Sequence, residues 1–272
     1  MAIGHKERIK EVSRNIDILT LTATPIPRTL QMSLLGIRNL SQLQSAPSNR
    51  MPIQTYVLPK SDSLIKEAIE RELARKGQVY YLHNKTSSIF STVKKIENMI
   101  KGARVDAVHG KMDKEEIEIT MSKFYNGEID VLVCTSIIET GLDISNCNTI
   151  LIENADCFGL SQLYQIKGRV GRSNRIAYAY LMYEPKKDLS EVSQKRLKAI
   201  KDFTELGSGF KIAQRDLSIR GAGDILGPEQ AGFIDTIGID MYIKLLSEAI
   251  KEKQGIVEEK DKINITNLSL NA

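Results

Sequence analysis

Apolar residues along this chain follow two rhythms. Nearly unbroken runs of Val, Ile, Leu and Tyr occupy residues 16–22, 53–58, 78–82, 104–108, 130–135, 148–153 and 177–183. Runs of that length, without strict alternation, suit strands covered on both faces. Between them the spacing changes to threes and fours. Ile65, Ile69 and Leu73 make one helical stripe, and Ile89, Val93, Ile96 and Ile100 make another. Asp113, with Glu116 three residues on, has the pattern of a capping box and predicts a helix running to about Tyr125. Strands alternating with helices of this length predict an α/β fold: a parallel sheet with helices on both faces, joined by right-handed crossovers.

The rhythm changes twice. Residues 39–52 are polar, carry Pro47 and Pro52, and read as a linker between the first strand and the α/β body. After Pro185 only helical spacing remains: Leu197, Ile200 and Phe203, then a last stripe at Tyr242, Leu245, Leu246, Ala249 and Ile250. Glycines at Gly207, Gly209, Gly221 and Gly223 punctuate this part, and the charged, then polar, tail from Gly255 is expected to be poorly ordered. The divisions are therefore 1–49, 50–185, 186–254 and 255–272.

Composition narrows the class. With 272 residues, 42% of them apolar and 26% charged, the chain is an ordinary globular protein with ample core. The net charge of +4 is compatible with a nucleic-acid partner but does not require one. Three cysteines (Cys134, Cys147 and Cys157) form no Cys-x-x-Cys pair, which argues against a zinc site or a disulfide framework and for a reducing, cytoplasmic compartment. The N-terminus shows neither a signal peptide nor a membrane span.

The chemistry gathers in a few places. Gln165, Gly168, Arg169, Gly171 and Arg172 lie within one short run. On a helix, Arg169 and Arg172 would share a face and present two guanidinium forks to phosphate oxygens, and the glycines would let a partner approach the backbone. A solvated basic helix end is the bland alternative. The strand ending at Thr135 and Ser136 leads to Glu139, Gly141 and Asp143. There the hydroxyls could donate to a nucleic-acid phosphate, Gly141 could admit a ribose or phosphate, and Asp143 could accept from a sugar hydroxyl; a plain tight turn is the other reading. His109, Gly110 and Lys111 end another strand before a helix N-terminus, a natural anion site, and His83 with Asn84 holds the equivalent edge, although lone histidines at strand ends are more often structural. Thr22 and Thr24, before Pro25, could equally be strand termination with hydroxyl turns. No Gly-x-x-x-x-Gly-Lys-Ser/Thr and no Asp-Glu-x-His run is present. The two arginines therefore read as fingers awaiting a nucleotide that another domain must hold.

These residues resemble the second motor lobe of superfamily 2 helicases: Thr22 and Thr24 resemble motif III, Thr135 to Asp143 motif V, and Gln165 to Arg172 motif VI. More narrowly, and over essentially the whole chain, the sequence resembles the bacterial transcription-repair coupling factor (Mfd) family, with RecG branch-migration helicases as near relatives. The run from Asp216 through Arg220 and Gly223 to Gln230 resembles the TRG motif that both share. Ser145 departs from the pattern, which usually has proline there.

The resemblance implies a RecA-like lobe followed by a helical hairpin (TRG) extension, with residues 1–49 as the tail of the first lobe and a start just past that lobe's magnesium box. It implies part of an ATP-dependent double-stranded DNA translocase that displaces stalled RNA polymerase and recruits excision-repair proteins through domains not in this chain. ATP, with Mg2+ held by the absent first lobe, would meet Arg169, Arg172 and Gln165, with Glu139, Gly141, Asp143 and Gly168 alongside. DNA would meet Thr135, Ser136, His109, Gly110, Lys111, His83 and Asn84. Thr22, Thr24, Arg220 and Gln230 would couple the two events. A RecG-like lobe, or a non-catalytic nucleic-acid-binding module, stand as alternatives, and the isolated fragment is expected to be inactive.

Overall fold

The computed structural model describes residues 51–135, 144–186, 188–203 and 208–220, with a few isolated positions besides. The chain divides into two compact units, residues 1–25 with 43–216 and residues 26–42 with 217–272. The first unit contains nearly all described residues. The expected strand at 16–22, the last helix and the tail lie outside the described residues, as do Thr22, Thr24, Ser136, Glu139, Gly141, Asp143, Gln230 and the Arg220 side chain.

Six parallel strands form one sheet: β1 (Ile53–Pro59), β2 (Gln78–Leu82), β3 (Val105–Val108), β4 (Val131–Cys134), β5 (Cys147–Ile152) and β6 (Ala177–Tyr183). Their order is β1-β6-β5-β2-β4-β3. Among the described residues they are accompanied by helices α1 (Asp62–Ala74), α2 (Ile89–Met99), α3 (Lys114–Tyr125), α4 (Leu160–Lys167), α5 (Glu191–Asp202) and α6 (Gly209–Arg220). Every residue of β2, β4 and β5 is buried, which is why those runs lack alternation. Edge strand β1 begins with alternating buried and exposed positions.

Side-chain parity sorts the core into two layers. Val79, Tyr81, Val131, Val133 and Leu151 pack with Ile65 and Ile69 of α1 and with Ile89 and Ile96 of α2. Tyr80, one residue out of phase, meets Phe124 of α3 with ring centroids 5.1 Å apart. Helix α3 has the expected capping box, Glu116 reaching back to the Asp113 amide.

From β2 the chain continues to β3, away from β5; from β5 it continues to β6, away from β2. Neighbouring strands that depart in opposite directions open a crevice at their carboxyl ends, the usual ligand position in such sheets.

Candidate nucleotide and nucleic-acid edges

The crevice at the carboxyl ends of β2 and β5 holds a buried polar cluster. His83 follows β2 and Glu153 follows β5. His83 Nδ1 lies 2.5 Å from Glu153 Oε2, and its Nε2 lies 2.8 Å from Ser88 Oγ. The Tyr81 hydroxyl donates to Glu153 Oε1 at 2.5 Å, and Lys60 Nζ lies 2.9 Å from the same oxygen. Burial works against the Glu153 carboxylate, yet His83, Tyr81 and Lys60 together hold its pKa down at about 2. Both imidazole nitrogens of His83 are engaged within the protein. The ring therefore braces the edge, where sequence reading had it as a direct nucleic-acid contact. Glu153 and Lys60 were missed by that reading. The available signal was a carboxylate ending an otherwise uncharged buried strand, but only strand order reveals its partner.

Further along this edge, Asn84, Gly110 and Lys111 are exposed, His109 is half-buried and Thr135 is buried. His109 Nδ1 accepts from the Lys111 amide at 3.3 Å, and the Thr135 amide donates to the Val108 carbonyl at 3.3 Å. The anion site expected at the start of α3 is modified by the structure. The capping box engages that helix end, and Glu115 and Glu116 make its first turn acidic, which leaves Gly110 and Lys111 as exposed groups just before it.

The arginine pair lies at the opposite, amino edge, between α4 and β6. Helix α4 ends at Lys167, so the expected shared helical face does not exist. A tight turn takes its place: the Arg169 amide donates to the Ile166 carbonyl at 3.0 Å, and Gly171 adopts φ 73°. The Arg172 Nε donates to the Gly168 carbonyl at 3.4 Å, and both arginines are half-buried, as is Gln165. Burial raises the Tyr80 phenol above its ordinary pKa, while the charges of Arg172 and Arg169 pull it the other way, which places both guanidiniums within electrostatic reach of the sheet.

The two glycines of this run have different causes. A Cβ on Gly171 would stand 3.0 Å from Ile53 Cγ1 and 3.1 Å from Ala177 Cβ, so this glycine serves both the turn and the close approach of β1 and β6. At Gly168 a Cβ would meet only the Tyr164 and Gln165 carbonyls, at 3.4 and 3.5 Å, with φ −69°. The fold itself does not require glycine there.

Lys167, counted by sequence among the basic cluster, is buried. Its Nζ donates to the carbonyls of Phe203 (2.9 Å) and Ile200 (3.4 Å) at the end of α5, and burial lowers its pKa to about 8. Arg175 is exposed and donates to the Arg75 carbonyl at 3.2 Å. Among the described residues, no group of three or more His, Cys, Asp or Glu side chains could hold a metal ion, and no helix is long and apolar enough to cross a membrane.

Residues 60–174 match the model of the helicase conserved C-terminal domain. Two curated proteins named transcription-repair-coupling factor, from Staphylococcus haemolyticus and Staphylococcus aureus (strain USA300), are each 55% identical over 99% of this chain. This chain belongs to the transcription-repair-coupling factor family. It spans 23% of the length of those relatives. A solved structure of RecG bound to a three-way DNA junction superposes with a TM-score of 0.61 at 27% identity, covering 85% of this chain and 36% of that one. The parallel sheet is thus the RecA-like helicase C-terminal fold.

Proposed function

We propose that this chain supplies the second motor lobe of an ATP-driven double-stranded DNA translocase, completing a nucleotide site whose P-loop and Mg2+ belong to another lobe. The observation that carries this reading is the arginine turn. Gly171 fixes its path, the Gly168 carbonyl orients Arg172, and Gly168 stays bare although the local backbone would accept alanine. Such a turn suits close approach by a triphosphate, with Arg169 and Arg172 meeting charge on the γ-phosphoryl and Gln165 ordering the attacking water. Bound ATP supplies the phosphoryl group; this lobe contributes charge and orientation.

Glu139, Gly141, Asp143 and Gly168 belong on the nucleotide side of this proposal. Asn84, His109, Gly110, Lys111, Thr135 and Ser136 belong on the DNA side, with His83 acting through its brace to Glu153. Thr22, Thr24, Arg220 and Gln230 would relay closure of the lobes. The name of the relatives supports a role in coupling transcription to repair, with stalled RNA polymerase and excision-repair proteins as partners through other parts of the protein. The RecG likeness supports a fork-acting motor as a second reading, at lower identity.

The test is hydrolysis by a full-length coupling factor carrying this segment. Arg172→Ala should abolish DNA-stimulated turnover while nucleotide binding persists, and the isolated 272-residue chain should show no turnover. Turnover by the isolated chain, or full activity of the variant, refutes the assignment.

A further inference from the structure

Phe90 is 57% exposed on the first turn of α2, while its neighbour Ile89 is fully buried against the sheet. A single exposed apolar side chain is unremarkable on its own. Phe90 differs because a second ring braces it: the His109 imidazole stands edge-on, centroids 5.8 Å apart with 80° between planes. His109 is itself oriented, since its Nδ1 accepts from the Lys111 amide, which leaves the ring proton on Nε2 as a donor. The pair follows two different strands, β2 and β3, so the sheet sets its spacing. Exposed Lys85 and Lys111 adjoin it in sequence, and exposed Asn84 shares the edge. Positive charge, a directed N–H donor and an aromatic face match the sugar-phosphate backbone and base edges of a nucleic acid.

We propose that Phe90 and His109 form an aromatic contact for one strand of duplex DNA, Phe90 lying against deoxyribose and base edges while His109 Nε2–H meets a phosphate. The inference rests on the reading of the carboxyl edge as the DNA side and adds Phe90 to it. Contact of this kind slows slippage of the strand without adding charge. Its signature is therefore affinity that does not follow salt.

The experiment is anisotropy of a labelled duplex titrated with the 272-residue chain across a range of salt. Phe90→Ala should weaken binding roughly five- to tenfold with an unchanged slope of affinity against salt. Lys111→Ala should weaken it while reducing that slope by about one. The chain has no tryptophan, so Phe90→Trp places a single indole at the contact. Its emission should be quenched as duplex saturates the protein, at retained affinity. Unchanged affinity in Phe90→Ala, or indole emission unmoved at saturation, overturns the proposal and leaves the DNA-side reading standing. Failure of the unmodified chain to bind duplex even at low salt overturns both together.

Discussion

At its carboxyl edge the sheet ends in groups that satisfy one another, whereas in the turn before β6, at its amino edge, Arg172 and Arg175 reach backbone carbonyls. His83, Glu153, Tyr81 and Lys60 close into a network in which the carboxylate is matched by three donors. Arg172 donates to the Gly168 carbonyl, and Arg175 to the Arg75 carbonyl. A carboxylate cancels a cation, but a carbonyl only aims it. The first edge is therefore built to keep its shape, with Asn84 and Lys111 exposed beside it. On the proposed reading, the arginine turn would direct its charge to an anion that arrives from outside.

The sharpest way to break this contrast is to remove charge from the amino edge. In a full-length coupling factor, Arg172→Ala should lower turnover by roughly a thousandfold or more, as expected of an arginine meeting the γ-phosphoryl. Thermal unfolding should shift little, because Arg172 is only half-buried and its Nε meets the Gly168 carbonyl at a long 3.4 Å. A large loss of stability would mean that Arg172 is a brace too, and the two edges would no longer differ in kind.

The carboxyl edge should respond in the opposite sense. Glu153→Ala strands His83, Tyr81 and Lys60 in a buried crevice, which should cost about 3 kcal/mol of stability. The same carboxylate predicts an acid response. Its folded pKa of about 2 lies below its ordinary 4.5, so its contribution is fully present above pH 4.5 and is lost as pH falls toward 2. Denaturant midpoints measured across that window should fall steeply in the native chain and less steeply in Glu153→Gln. Equal slopes would dismiss the network as a stabilising device.

Much of the fold was legible because burial leaves a plain signal. The runs at 53–58, 78–82 and 177–183 became β1, β2 and β6 within a residue, and Asp113 with Glu116 marked the start of α3. The site was legible by residue type but not by position. Spacing alone put Arg169 and Arg172 on one helix face, although Gly168, the C-cap directly after Lys167, was a local stop signal. Beyond the cap, Gly171 turns the chain at φ 73°, and its lack of a Cβ also admits the close approach of Ile53, a residue far away in sequence. Glu153 was invisible as a partner of His83 for the same reason: their pairing depends on β2 and β5 being neighbours. Long-range closeness is what periodicity cannot report.

Gly171 offers a gentler probe of that long-range cause. Alanine there must adopt φ near 73° and press its Cβ against Ile53 and Ala177, a strain of roughly 1–3 kcal/mol. Gly168→Ala meets only ordinary contacts and should cost the fold about 0.5 kcal/mol or less. The activities should rank differently from the stabilities. If Gly168 is bare so that nucleotide can approach, its alanine variant should lose turnover despite a nearly native unfolding curve. Native turnover in Gly168→Ala would leave that glycine without a role at the site.

A further probe concerns the lysine that sequence grouped with the arginines. Lys167 is buried with its ammonium on the last carbonyls of α5, and its pKa falls to about 8 from an ordinary 10.5. Between those values the unfolded chain binds more protons than the folded one, so this group makes stability rise with pH and withholds that gain below pH 8. Tyr80 and Tyr81 act oppositely from about pH 10, since their phenols are raised above that ordinary value. Cys134 and Cys147, whose thiols burial raises well above their ordinary 9.0, oppose it already from about pH 9. The clean window is therefore pH 8 to 9, where Lys167 should contribute a rise of ~1 kcal/mol. Carbonyl acceptors at a helix end favour the charged form, and this keeps the effect modest. Lys167→Met should flatten the rise, read as unfolding midpoint against pH. A rise that survives in the variant would assign the titration to another group.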